Sequence, residues 1–257
     1  MSSCHVVLIH GTGCRGNWWE PARQAFADRG FTVHTPTLRH HELPRYVGAS
    51  RIAGVSLLDY TDDLVALCRS LDSKPLVVGL SLGGLLAQLV AARTAVAGVV
   101  AAAPAPAAGI FAMYPNMIRL WGSHFTRFGA PWRRPLMPTL PHFRLAAQHQ
   151  NAGRVLELYK ESVAESGRAY SEMTFPFFDP RRAASVNTDA ITCPVLVIGA
   201  GDDKAVHPRI ASATARRYRD ADHVEIAGAD HLLFDGPFLR QTMAVIDAWM
   251  RRREVLK

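Results

Sequence analysis

The sequence predicts an α/β protein, a mostly parallel sheet with helices on both faces, and three observations carry that reading. Short, β-branched apolar runs recur at residues 4–9, 31–34, 75–78, 96–103, 194–198 and 223–226. Helical patterns separate most of them, with short connections. The runs are almost continuously apolar rather than alternating, as strands covered on both faces are.

The first run, Cys-His-Val-Val-Leu-Ile at 4–9, is bounded by His10-Gly11. Residues 18–29 follow a helical pattern that stops at Gly30, a C-terminal glycine signal. The short strand at 31–34 ends before Pro36, and a polar loop containing Gly48 and Gly54 follows. Leu57, Tyr60, Leu64, Leu67 and Leu71 recur at helical spacing and predict a helix over 56–71. The strand at 75–78 leads into a sharp turn at 79–84, an Ala- and Leu-rich helix at 85–95, and the strand at 96–103.

At Ala103-Pro104-Ala105-Pro106 the alternation breaks, and it resumes only at Pro194-Val195-Leu196. The intervening stretch is rich in proline and aromatics, among them Phe111, Trp121, Phe125, Phe128, Trp132, Phe143, Phe175, Phe177 and Phe178, with an amphipathic helix expected at 154–165. An excursion this long carries its own structure or a function. The expected organisation is therefore a core of residues 1–103 and 193–257, with 104–192 inserted as a cap or lid. Beyond it a helix (208–218), a strand (223–226) and a last helix (237–253) complete the alternation. Neither internal repeats nor low-complexity tracts occur.

Composition narrows the class. Of 257 residues, 49% are hydrophobic and 20% charged, which describes a chain with a large core and excludes a disordered one. The net charge of +7 raises nucleic acid as a partner. Its basic residues are scattered, however, apart from Arg133-Arg134, Arg181-Arg182, Arg216-Arg217 and Arg251-Arg252-Arg253, which reads as solvated helix surface. The longest apolar stretch, 80–103, is interrupted by Ser81, Gln88 and Arg93, so no integral membrane segment is expected. The N-terminus lacks a basic region before its apolar run, which argues against a secretory leader. Four cysteines (Cys4, Cys14, Cys68, Cys193) suggest no disulfide framework, and none pairs with a histidine at metal-ligand spacing. A cytoplasmic location, no metal and no cofactor are the expectations.

The chemistry centres on Gly79-Leu80-Ser81-Leu82-Gly83. A Gly-x-Ser-x-Gly match alone is unspecific; directly after a buried strand and at the opening of a helix it reads as a nucleophile elbow. Such a turn strains the serine backbone and lifts its hydroxyl above the sheet, beside the positive end of the helix. Ser81 then needs a base, and the base an orienting carboxylate. Of eleven histidines, His231 follows the last strand and so lies at the same sheet edge as the elbow. The acid is expected from Gly199-Ala200-Gly201-Asp202-Asp203, which offers both Asp202 and Asp203. Asp230, beside His231, is badly placed to orient its neighbour and reads as structural. His207 and His223 read as surface or packing residues.

Taken together these residues resemble the α/β-hydrolase family, in its serine hydrolase (esterase- or lipase-like) branch with a cap insertion, over nearly the whole chain. In that family an Asp-x-x-Val-x-Pro-like stretch follows the acid strand. Asp203-Lys204-Ala205-Val206-His207-Pro208 fits it and implies Asp203 as the acid, with Asp202 as competitor. The resemblance also implies an oxyanion hole made by the N–H groups of Leu82 and Thr12, with Gly13 the alternative to Thr12. His10 would brace that first loop. Trp18 and Trp19 read either as pocket wall or as helix-to-sheet packing.

The implied activity is acyl transfer through an acyl-enzyme, on a carboxylic ester of a small, largely apolar substrate. Thioesterases, lactonases and carbon–carbon bond hydrolases share this triad and stay open as alternatives, as does a non-catalytic small-molecule binder. Branches with an Asp nucleophile are set aside by Ser81, and plant-type hydroxynitrile lyases by Gly11 and Leu232. The apolar runs 110–114 and 117–121 either pack the cap on the core or line an acyl or aromatic pocket.

Overall fold

Residues 4–126 and 130–255 are described by the computed structural model, with every side chain among them except those at 120, 121, 123, 125 and 126. Six strands of these residues form one sheet: β1 (His5–Ile9), β2 (Thr32–His34), β3 (Leu76–Leu80), β4 (Gly98–Ala102), β5 (Val195–Ala200) and β6 (Ala221–Ile226). They pair in the order β2-β1-β3-β4-β5-β6, each pair parallel. Each predicted run falls on one of these strands.

Why the runs are continuously apolar is visible in the packing. Along β1, Val6 and Leu8 point to one core cluster, and Val7 and Ile9 to the other. Leu76 and Val78 against Val77, and Leu196 and Ile198 against Val195 and Val197, alternate in the same way. The strand period of two thus feeds two cores, one on each face. On one face lie α1 (Glu20–Ala27), through Ala22 and Phe26, and the C-terminal helix, through Met243, Ile246 and Trp249. After α2 (Arg45–Ile52) come α3 (Leu57–Ser70) and α4 (Leu82–Ala91), which cover the other face with Tyr60, Leu64, Leu85 and Leu86.

Between β4 and β5 the chain leaves the sheet through α5 (Pro115–Thr126), α6 (Leu140–Ala146), α7 (Ala152–Glu161) and α8 (Gly167–Thr174). It returns to the sheet at β5, passes through α9 (Pro208–Ala215) to β6, and ends in α10 (Leu239–Arg253). No helix among the described residues is long and apolar enough to cross a membrane. Phe128 lies outside the described residues, as do the side chains of Leu120, Trp121 and Phe125.

Four predicted elements are corrected. The expected helix at 18–29 is a 3-10 turn, Gly16–Trp19, followed by α1, which places Pro21 in a first turn where no N–H is needed. The expected loop around Gly48 contains α2, which buries only Gly48 and Ile52 and so shows no apolar stripe to read. The helix expected at 154–165 is α7, which stops at Ser162 in extended backbone. Glu165 lies beyond it, in an antiparallel bridge to Leu136.

The fourth correction concerns the turn expected at 79–84. Strand β3 runs to Leu80 and α4 begins at Leu82, so the turn shrinks to Ser81. Both glycines lie inside regular elements, where only their missing side chains permit the approach. A Cβ on Gly79 would sit 1.9 Å from the Gly83 carbonyl oxygen, and one on Gly83 2.0 Å from that of Ile9. Gly83→Ala is therefore expected to cost about 3 kcal/mol or more of unfolding free energy, at the upper end for overpacking. Gly54→Ala, where a Cβ meets nothing within 4 Å, should stay within about 0.5 kcal/mol. Urea denaturation of the two variants checks the contrast.

Candidate active site

Ser81 adopts φ 60° and ψ −120°, a left-handed conformation that a serine enters only under constraint. The constraint is a set of backbone hydrogen bonds. Its N–H donates to the Ala102 carbonyl of β4 at 3.0 Å. Its own carbonyl accepts from Gly84 (2.9 Å), Leu85 (3.2 Å) and Ala105 (2.9 Å). The sheet and the first turn of α4 thus hold the strained residue from both sides.

The loops after β5 and β6 bring the next two residues together. Asp203 and His231 are both buried, and His231 Nδ1 lies 2.6 Å from Asp203 Oδ2. A carboxylate at that distance makes Nδ1 the donor and leaves Nε2 as the acceptor. Asp203 is itself fixed, since its Oδ1 accepts from the backbone N–H groups of Ala205 (2.7 Å) and Val206 (2.9 Å). Burial works against a charged His231 ring, but the Asp203 charge and hydrogen bond, with Asp230 adding to them, outweigh it and raise the pKa above the usual histidine value.

Asp202 points elsewhere. Its Oδ2 meets His149 Nε2 at 2.9 Å and its Oδ1 meets Lys204 Nζ at 3.4 Å, half-exposed. The His149 hydrogen bond first, and Lys204 next, hold its carboxyl below the ordinary range. Asp230 is fully buried and accepts from the N–H groups of His149 (3.0 Å) and Leu232 (3.0 Å), tying the start of the His231 loop to the segment between α6 and α7. His207 caps α9 and stacks on Tyr114, and His223 lies in β6.

The first loop follows β1. His10 is buried and ties this loop to the one after β2: Nε2 accepts from the Leu38 N–H at 3.0 Å, so Nδ1 is the donor to the Gly11 carbonyl at 2.9 Å. Burial, and then the charge on His41, push its pKa down to about 3, which keeps the ring neutral in this bracing role. A Cβ on Gly11 would come 3.2 Å from the Ser81 Cβ, so the loop lies directly against the serine. Thr12 Oγ1 is 2.8 Å from the Tyr170 hydroxyl. The Gly13 N–H is already engaged, donating to Glu165 Oε2 at 3.2 Å. Glu165 escaped the sequence reading, and the only signal for it was an isolated acidic residue among Val163, Ala164 and the small residues Ser166 and Gly167.

Two cavities meet at Ser81, sharing Ser81 and Ala205. The smaller, about 100 Å³, also touches Gly11, Thr12, Trp18, Phe143 and His231. The larger, about 270 Å³, is walled by Ala112, Met113, Met117, Ile118 and Met173. Both are overwhelmingly apolar. Trp18 thus lines the smaller cavity, whereas Trp19 is buried against Phe234. Within the two apolar runs at 110–121, Ala112, Met113, Met117 and Ile118 face the larger cavity, and Ile110 packs against the core. Among the described residues no group of three or more His, Cys, Asp or Glu is arranged to hold a metal ion.

The model of the Alpha/beta hydrolase family matches residues 6–244. No curated protein matches the sequence. Similar solved structures include a methylesterase from Arabidopsis, 17% identical, with a TM-score of 0.69 over 95% of this chain and 98% of that one. A thermophilic esterase from Thermogutta terrifontis is 22% identical, with a TM-score of 0.67 over 98% and 90% of the two chains. A monoacylglycerol lipase from Paleococcus ferrophilus is 19% identical, with a TM-score of 0.67 over 98% and 96%. At these identities the likeness is one of fold.

The His231 environment makes a direct prediction. In an NMR titration its ring should lose its proton above the unperturbed value of about 6.5. Asp203→Asn should move that pKa downward, because burial then faces much weaker opposition. Asp202→Asn should leave it in place.

Proposed function

Because the chain belongs to the α/β hydrolase family, we propose that it is a serine esterase acting on esters with apolar groups on both sides of the carbonyl. One observation carries this: Ser81, in its strained turn, shares a cavity with His231, whose Nδ1 is held by the buried Asp203 carboxylate. The names of the solved neighbours, esterase, methylesterase and monoacylglycerol lipase, are in keeping with an ester substrate.

In this reading His231 Nε2 takes the Ser81 proton as Oγ attacks the ester carbonyl. Asp203 stabilises the imidazolium and fixes its tautomer. The oxyanion is received by the N–H of Leu82, at the start of α4, and by that of Thr12. Thr12 is preferred to Gly13 because the Gly13 N–H already serves Glu165. His231 then protonates the leaving alcohol, and a water it activates releases the acid from Ser81. Residues 104–192 act as a cap whose α5 and α8 wall the larger cavity, while Phe143 of α6 helps line the smaller.

The sign of the pH dependence follows from His231. The base must be neutral, so kcat/KM should rise with pH through an apparent pKa above about 6.5. The charged Asp203–His231 pair does the reverse for stability. Its contribution is complete below the unfolded histidine pKa and is lost as pH rises through the folded one. Across that window activity should climb while this part of the stability declines, which rate profiles and thermal melts measured together will reveal.

Ser81→Ala should abolish both turnover of p-nitrophenyl esters and labelling by a fluorophosphonate. Undiminished turnover, with no labelling of the wild type, would sink the esterase reading. With acyl chains lengthened from acetate, kcat/KM should rise about fourfold per methylene until a cavity fills, at about 0.8 kcal/mol for each CH₂ buried. A flat chain-length profile would count against apolar pockets as the basis of selection.

A further inference from the structure

Glu165 is the best-satisfied buried carboxylate near Ser81, and the mechanism above assigns it no step. Its side chain is 1% exposed. Oε2 accepts from the Gly13 N–H at 3.2 Å and faces His41 Nε2 at 3.0 Å. Oε1 accepts from the Tyr60 hydroxyl at 2.8 Å and from the Ser166 N–H at 2.7 Å. Four donors converge on two oxygens, which only an ionised carboxylate satisfies in full. The other His41 nitrogen, Nδ1, faces the Arg39 carbonyl at 3.3 Å.

The backbone around this carboxylate clamps the same glycine. Val163 N–H donates to the Gly13 carbonyl at 2.8 Å, so residues 163–165 hold both polar groups of Gly13. Gly13 itself has φ +65°, and a Cβ there would lie 2.9 Å from the Val163 carbonyl oxygen. Glu165 is pinned in turn by reciprocal backbone bonds with Leu136, at 2.8 and 2.9 Å. The peptide next to Gly13 on its N-terminal side is that of Thr12, whose side chain is held by Tyr170 of α8. Every one of these partners, Leu136, Val163, Glu165 and Tyr170, comes from the excursion between β4 and β5.

We propose that Glu165 is a positioning residue for the oxyanion hole: by holding the Gly13 N–H from across the substrate cavity, it sets the orientation of the Thr12 N–H toward Ser81. This rests on the esterase reading. Glu165 makes no contact with reacting atoms in this scheme and acts only through the loop. A displacement of the loop by about 1 Å is enough to cost about 10² in rate.

The test combines kinetics with amide exchange. In Glu165→Ala, kcat for p-nitrophenyl butyrate should fall about 10²-fold with KM within about twofold. Affinity for an alkyl trifluoromethyl ketone, which forms an oxyanion on Ser81, should fall by the same factor as kcat/KM. Glu165→Gln, which can still turn its carbonyl to Gly13, should recover part of the rate. An unchanged kcat in folded Glu165→Ala, or a loss carried by KM with ketone affinity intact, would overturn the proposal. Should the alanine variant not fold, the unmodified protein decides. Its Gly13 amide should be protected from exchange before any inhibitor is added, and the Thr12 amide should gain protection only with the ketone. A Gly13 amide that exchanges freely, or is protected only by the ketone, refutes the assignment. Ser81→Ala assayed alongside separates this failure from that of the esterase reading, since protection of Gly13 in the free protein requires no turnover.

Discussion

The contact on which the molecule turns is the near-collision of three backbone segments at the carboxyl edge of the sheet. The end of β3, the first turn of α4 and the end of β1 approach so closely that Gly79 and Gly83 have no room for a single methyl group. That approach forces Ser81 into its left-handed conformation and brings the loop after β1 against it. The strain is of order 1–3 kcal/mol. Parallel pairing on both sides of β3, with two cores packed above and below, supplies the rigidity that maintains it.

Around this point the charges are arranged with opposite consequences. The Asp203 carboxylate holds a proton on His231, while burial and the nearby His41 charge strip His10 of the ability to carry an extra one. Two histidines within one loop cluster thereby acquire different states from their surroundings alone. One is a ring held at Nδ1 by a carboxylate beside a cavity, and the other a neutral strut whose two nitrogens are both engaged by backbone.

Much of this was legible in the residues. The strands announce themselves because burial on two faces demands unbroken apolar runs, and the elbow because a serine between glycines follows one of them. Local chemistry was less informative where several residues of one type compete. Asp202 and Asp203 are neighbours of identical chemistry, and only the turn closed by Ala205 and Val206 N–H groups distinguishes the one that meets His231. Helix α2 was hidden by its lack of an apolar stripe. Glu165 was hidden by distance, since Gly13 and His41 lie 152 and 124 positions away in sequence. Periodicity reports which face of an element is buried; it carries no information about which buried acid will meet which loop.

The excursion between β4 and β5 is bonded to both loops that flank Ser81. It holds Gly13 through Val163 and Glu165, and the His231 loop through the Ala146 carbonyl, which accepts from the His231 N–H, and the His149 N–H, which donates to Asp230. It is thus a keystone as much as a cover. For anyone recombining this fold, the segment that lines the cavities at Ser81 is not a freely exchangeable module. On the proposed reading, a transplanted segment of matching length and apolar lining would change selectivity, yet leave the loop after β1 unbraced at Gly13 unless it also delivered an acid at the Glu165 position. On the proposed esterase reading, selectivity and rate would be inherited together.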